Sequence, residues 1–328
     1  MATQPLGDRP DSFADLHRLL AANIGQVIQG KPEAIDLVLL GVIAEGHLLV
    51  EDVPGVGKTS LAKALARSID GEYGRIQFTP DLLPSDVVGV NVWNRATGAF
   101  EFRPGPVFAN VVLADEINRA SPKTQSALLE AMAERQVTVD GTTRHLAPPF
   151  VVIATQNPIE SEGTYPLTES QLDRFLLKLS MGYPDREAEL QMLATHGEVD
   201  PLNGLRPVVT VAQVEGLVAA ARTVHVAPAL QEHLVDLADA SRRHPHVEAG
   251  ISPRATLALQ RVARARAATR GRTYVTPDDV RALAVPVLAH RIVLSPAARA
   301  GRIEPASVVA DLLASVPPPE PRPVGTAR

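Results

Sequence analysis

The apolar run Leu48–Val50 leads through Glu51-Asp52-Val53-Pro54 into Gly55-Val56-Gly57-Lys58-Thr59, and Ser60–Ile69 then reads as a helix. A buried strand, a glycine turn and a helix start in that order make an anion site. Gly55 and Gly57 permit backbone geometry that turns successive N–H groups inward. The positive end of the helix dipole reinforces them. Lys58 can reach terminal phosphates, and the Thr59 hydroxyl can ligate magnesium. Asp52 stands where the general pattern has glycine. Its charge would repel a triphosphate, so the side chain is expected to point away.

A second constellation follows. Val111–Ala114 is an apolar strand that ends in Asp115-Glu116. Parallel α/β sheets bind ligands at such strand ends. Asp115 is placed to hold magnesium through water and Glu116 to orient or deprotonate an attacking water. Alone, the pair also fits a strand that simply turns polar at the surface. Val151–Thr155 is a third buried strand, ending in Gln156-Asn157-Pro158. Asn157 could position the water or sense a phosphate; an isolated Asn-Pro is also a plain turn.

Two arginines extend the set. Arg174, in Leu172-Asp173-Arg174-Phe175, sits where a helix gives way to a strand, where an exposed Asp–Arg pair is worth little. Arg254 falls in the first turn of a helix capped by Ser252 and opened by Pro253. A cation there opposes the dipole at about 0.3–1 kcal/mol, and a bound phosphate would reverse the sign. The alternative is an arginine that reaches out to water. Arg119 is a weaker candidate for an interface arginine. His244 and His246 lack an evident third metal ligand. The run Arg261, Arg264, Arg266, Arg270 and Arg272 spreads over more than one helical face, as a solvated surface does.

The elements that must position these groups come in two textures. Up to about Met181, strands at His47–Glu51, Arg75–Thr79, Val111–Asp115, Phe150–Thr155 and Phe175–Leu179 alternate with helices. This is the pattern of a parallel sheet with helices on both faces. Two intervals, Asn91–Phe102 and Gln136–Leu146, alternate around Ala96-Thr97-Gly98 and Asp140-Gly141 and read as inserted β-hairpins. After Tyr183-Pro184 the strand signal stops. Helical periodicity covers Arg186–His196, Val211–Ala221, Ala229–Arg243, Pro253–Thr269 and Pro277–Arg291, with start signals at Thr210 and Thr276. The expected organisation is an α/β core over 1–183, a smaller helical domain over 184–294, and a segment over 295–328. That last segment carries a weak helix at Ala306–Ala314 and a Pro-rich tail from Val316.

Composition sets the outer limits. The 328 residues are 45% hydrophobic, 21% charged and only 4% aromatic, so a soluble core built on aliphatic side chains is expected. With no cysteine, disulfides, thiol nucleophiles and cysteine-bound zinc are excluded. A net charge of −5 argues against a dedicated nucleic-acid binder. Met1–Arg18 lacks the apolar centre of a signal peptide, and no stretch reaches the length of a membrane span. A cytoplasmic location is expected.

Taken in order, Glu51–Thr59, Ala114–Ala120, Ala154–Pro158 and Gln171–Phe175 resemble the MoxR family of AAA+ ATPases, over about Phe13–Ile292. The resemblance implies a P-loop (AAA+) α/β fold with a helical lid and Mg2+-dependent ATP hydrolysis. It implies nucleotide binding by Pro54, Gly55, Val56, Gly57, Lys58, Thr59, Ser60 and Arg254, with metal at Thr59 and Asp115. Glu116, Asn157 as sensor 1 and Arg174 as arginine finger would act in catalysis, and Arg254 would be sensor 2. The two hairpins match the inserts of the helix-2-insert clade. A finger acting on a neighbour's nucleotide implies a homo-oligomeric ring, a hexamer. Similar proteins act as chaperone-like ATPases on protein clients, often with a von Willebrand factor A domain partner. The rival readings are a nucleic-acid motor, which predicts DNA-stimulated hydrolysis, a chelatase-like subunit, which requires chelatase partners, and a nucleotide-gated binding module with negligible turnover, against which Glu116 and Arg174 speak.

Overall fold

The structure is a computed structural model that describes residues 12–158, 163–195 and 201–319. The tail expected beyond Pro319 and the helix end at His196 lie outside these residues. The chain divides into two compact units, 1–221 and 222–328. That division falls later than the change of texture near residue 183.

The first unit opens with α1 (Phe13–Gly25), capped by Ser12, and α2 (Pro32–Ile43). Helix α2 buries eight of its twelve residues and is apolar nearly all round, the signature of a helix enclosed in a core. Strands β1 (Leu48–Glu51) and β2 (Tyr73–Gln77) flank α3 (Lys58–Ser68). A short α4 (Pro84–Val88) precedes the hairpin β3 (Gly89–Asn94) and β4 (Ala99–Pro104). Strand β5 (Val111–Asp115), α5 (Pro122–Glu134), the hairpin β6 (Gln136–Val139) and β7 (Thr142–His145), and β8 (Val151–Gln156) come next. The unit closes with a one-turn α6 (Glu169–Leu172), β9 (Leu177–Leu179), α7 (Arg186–Thr195), a one-turn α8 (Pro201–Gly204) and α9 (Val211–Arg222).

Five strands form one parallel sheet in the order β2-β5-β8-β1-β9. The tips of β5 and β8 are neighbours, with Leu113 opposite Ile153. Strand β2, at an edge, runs level with β5 and sets Gln77 opposite Asp115. The interiors of β5 and β8, such as Val112, Leu113, Val152 and Ile153, are fully buried, and in these two strands the residues at the tips turn polar. The expected hairpins both form. Asp140 and Gly141 take φ of 50° and 75°, as a two-residue hairpin turn requires. The hairpins touch through Asn91 Nδ2, which donates to Asp140 Oδ2 at 2.7 Å, and through Arg144 stacked 3.7 Å over the Phe102 ring.

The second unit packs α10 (Pro228–Arg242), α11 (Pro253–Thr269), α12 (Pro277–Leu288), a short α13 (Pro296–Ala300) and α14 (Pro305–Ser315). The expectation that strands end near residue 183 is corrected here. Strand β10 (Val247–Ala249) pairs antiparallel with β11 (Val293–Leu294). Three and two residues are too few to show a period of two, so no sequence pattern marks them. The arginine run is partly structural: Arg272 and Arg266 turn to the buried Asp279, at 2.7 and 3.5 Å.

Candidate nucleotide-binding site

The turn after β1 shows why its glycines are needed. Gly55 and Gly57 adopt φ of 86° and 91°, in the left-handed region that side chains disfavour. Gly57 is the residue before α3, and no side chain caps that helix. Its first N–H groups are left for an anion to satisfy. Lys58 Nζ donates to the carbonyls of Asp52 and Val53 at 2.9 and 3.3 Å.

Asp52 does point away. Its buried carboxylate accepts from Ser180 Oγ at 3.1 Å and from the N–H groups of Met181 and Gly182. The charge that would repel a triphosphate instead ties the loop to the chain leaving β9.

Strand β5 delivers Asp115, and Glu116 follows in a left-handed conformation at φ 56°, ψ 50°. A non-glycine residue there costs on the order of 1–3 kcal/mol and persists only when its surroundings enforce it. Thr155 on β8 does so: its hydroxyl donates to Asp115 Oδ1 at 2.8 Å and accepts the Glu116 N–H at 2.9 Å. Arg75 pairs with Asp115 Oδ2 at 2.8 Å. Glu116 Oε2 accepts from Gln77 Nε2 at 3.0 Å and from Arg119 at 3.1 Å. Asn157 is buried just beyond the tip of β8.

These parts converge. Pro54, Gly55, Gly57, Lys58, Thr59, Asp115, Glu116, Thr155 and Asn157 line one cavity of about 330 Å³. Val56 and Ser60 face a neighbouring cavity of about 700 Å³, shared with Gly55 and Gly57 and walled by Val27, Ile28, Met192 and Leu193. One sequence candidate of this unit lines neither cavity. Arg174 is half-buried, and its guanidinium donates to the Leu129 carbonyl on α5 at 2.6 Å. Arg254 belongs to the second unit, exposed in the first turn of α11, where Ser252 caps the Ala255 N–H.

Thr155, Arg75 and Gln77 were missed in the sequence. The available signal was that a strand over Arg75–Thr79 would end level with Asp115, which makes its polar residues neighbours of the carboxylates. The larger cavity was missed as well, because α1 and α2 give no motif.

A glycine turn at a helix start, facing a carboxylate pair two strands away in a parallel sheet, defines a P-loop nucleoside triphosphatase. The helical unit that follows in sequence is the mark of the AAA+ class. Known proteins agree. The ATPase family associated with various cellular activities (AAA) matches residues 47–177, and the AAA lid domain matches residues 239–312. The uncharacterised protein YeaC of Bacillus subtilis is 49% identical over 93% of this chain and 96% of its own length. Chaperone MoxR1 of Mycobacterium tuberculosis is 40% identical over 96% of this chain and 86% of that protein. A candidate ATPase of Cytophaga hutchinsonii, solved as a crystal structure, superposes with a TM-score of 0.88 at 38% identity, covering 94% of this chain and 96% of that one. The chain belongs to the MoxR family of AAA+ ATPases.

Proposed function

We propose that this chain binds ATP with magnesium, hydrolyses it within a homo-oligomeric ring, a hexamer, and uses the cycle to remodel protein clients in the cytoplasm. One observation carries the reading: the Lys58-Thr59 turn and the Asp115-Glu116 strand tip line the same cavity. Chaperone MoxR1, similar over nearly the whole chain, supports the client role by its name. A von Willebrand factor A domain protein is the partner class this reading favours.

The donor set suits magnesium. Thr59 and Asp115 offer oxygens, which a hard cation prefers. Among the described residues no cluster of three or more His, Cys, Asp or Glu could hold a metal, so phosphate oxygens and water would complete the shell. Bound there, magnesium would neutralise charge developing on the phosphates. The turn N–H groups grip the phosphates, and Lys58 exchanges its loop carbonyls for them. Glu116 orients or deprotonates the attacking water, with Asn157 positioned beside it. The apolar walls of the larger cavity accept the base. Arg174 acts on a neighbouring subunit's nucleotide, and Arg254 couples nucleotide state to the second unit.

The test separates binding from chemistry. Glu116→Gln is expected to keep ATP affinity by calorimetry while turnover falls by roughly 10²–10⁴. Arg174→Ala is expected to keep nucleotide binding and lose about 10³–10⁵ in the hydrolysis of the assembled protein. Equal turnover in wild type and Glu116→Gln removes the catalytic assignment. If dilute monomers hydrolyse as fast as assembled chains, the finger in trans is wrong.

A further inference from the structure

Asp52 lines neither cavity, yet its polar groups go to three different elements. Its N–H donates to the Gln156 carbonyl at the tip of β8, at 3.1 Å. Its carbonyl accepts from Lys58 Nζ at 2.9 Å. Its buried carboxylate accepts from Ser180 Oγ at 3.1 Å, from the Met181 N–H, and on both oxygens from the Gly182 N–H at 3.2 Å. Gly182 takes a left-handed φ of 60°, so two successive N–H groups converge on one anion, as in a backbone nest. The chain that makes this nest runs straight on into the wall of the larger cavity, to which Tyr183, Pro184, Met192 and Leu193 contribute. That wall is itself held. Lys31 Nζ donates to the Tyr183 carbonyl at 2.5 Å, and α7 packs so close that a Cβ on Gly30 would lie 2.6 Å from Ala188 Cβ.

We propose that Asp52 is a positioning residue that fixes the phosphate turn against the wall of the larger cavity, so that the two ends of one nucleotide reinforce each other. The inference rests on reading Gly55–Thr59 as the phosphate site and the larger cavity as the base site. Phosphate takes Lys58 from the carbonyls of Asp52 and Val53, and the start of the turn loses the bonds that held it from within. The carboxylate still anchors it to 180–182. The turn therefore meets phosphate without shifting against Tyr183 and α7. A ligand that spans two subsites gains most when their spacing is set beforehand, because binding then has less to order. Glycine, the general residue at this position, has no side chain to do this.

The full-length chain tests the proposal with Asp52→Ala and Ser180→Ala. Affinities for ATP and for inorganic tripolyphosphate, both with Mg2+, are measured by displacement calorimetry. Tripolyphosphate fills the phosphate site alone, so the ratio of the two affinities reports what the base end adds. Asp52→Ala is expected to shrink that ratio at least about fivefold, the lower end of measured site couplings, while tripolyphosphate affinity changes less than about twofold. Ser180→Ala removes one bond to the carboxylate and should shrink the ratio about twofold, the lower end for a single hydrogen bond. Thermal unfolding checks that each variant is folded, and Ser180→Ala carries the test where Asp52→Ala is not.

A general loosening of the fold weakens both ligands alike and leaves the ratio where it was. A ratio unmoved in the folded variants, with or without an equal loss of both ligands, therefore overturns the proposal. The wild type separates it from the reading beneath it. A wild-type chain that binds neither ligand, or binds both equally, brings down the assignment of the two cavities and the link together. Tight ATP binding by the wild type beside an unchanged ratio in Asp52→Ala brings down the link alone.

Discussion

Each unit holds an arginine–carboxylate cluster, and the two clusters use the same chemistry differently. At the cavity mouth the side chains of Asp115 and Glu116 are 15% and 28% exposed, and those of their partners Arg75 and Arg119 are 48% and 45% exposed, against 24% for Arg272. In the second unit Asp279 is only 2% exposed. Both of its oxygens take an Arg272 nitrogen at 2.7 Å, Thr276 gives it two further bonds at 2.9 Å, and Arg266 lies 3.5 Å away. The paired fork fixes direction as well as charge. Burial alone would raise the Asp279 pKa, but the bonds from Arg272 and Thr276 outweigh it and hold the group below its ordinary value. The same partnership pushes Arg272 up. The charge of Asp279 is buried and held by four hydrogen bonds. The carboxylates proposed to serve the reaction lie nearer water, paired with arginines that are about half exposed.

The largest expected effect breaks the buried cluster. Asp279→Asn leaves Arg272 and Arg266 without their counter-charge and weakens the cap of α12, where Asp279 and Thr276 exchange bonds. Removing one partner of a buried pair costs about 3–5 kcal/mol. Denaturant unfolding should show a loss of that size. A loss under about 1 kcal/mol, the level of an exposed pair, would erase the distinction between the clusters.

The contrast between the clusters also bears on what the sequence revealed. Strands such as Val111–Asp115 were legible because an unbroken apolar run ends in a polar tip, and the tips are where the site lies. The side of the chain that Asp52 faces was legible too, from the sign of its charge. Its partners were not: Ser180 is 128 residues away. Gln77 and Thr155 have the same opacity, since their roles come from strand register rather than from neighbours in the chain. Helix α2 was hidden for another reason, because a helix buried on nearly all sides has no apolar stripe. Arg266 and Arg272 looked like a solvated run because Asp279, their partner, belongs to the next helix.

Acid should probe the buried cluster more gently. His233 on α10 is buried, which lowers its pKa, while Asp236 and the Pro317 carbonyl oppose the shift without cancelling it. A histidine depressed in the fold contributes stability above its unfolded pKa, about 6.5, and loses it as pH falls below that value. Asp279, also depressed, keeps its contribution down to about 4, the unfolded carboxylate value, and loses it as pH falls further. Stability should therefore decline in two steps, one below about 6.5 and one below about 4. Asp279→Asn should flatten the lower step and leave the upper one. A single step, or a lower step that survives Asp279→Asn, would contradict the assignment.

The smallest expected change in stability falls at the residue proposed to hold the metal. Asp115→Asn keeps the shape, retains an oxygen for the Thr155 hydroxyl, and gives up a pair with a half-exposed arginine. Its unfolding free energy should shift by less than about 1 kcal/mol. Turnover should fall at least about a hundredfold, since the carboxylate charge is what a divalent cation requires. Thermal unfolding and ATPase assays on one preparation decide the matter. If Asp115→Asn destabilised the first unit as much as Asp279→Asn does the second, the cavity-mouth carboxylate would be holding structure, and the contrast between the two clusters would have to be given up.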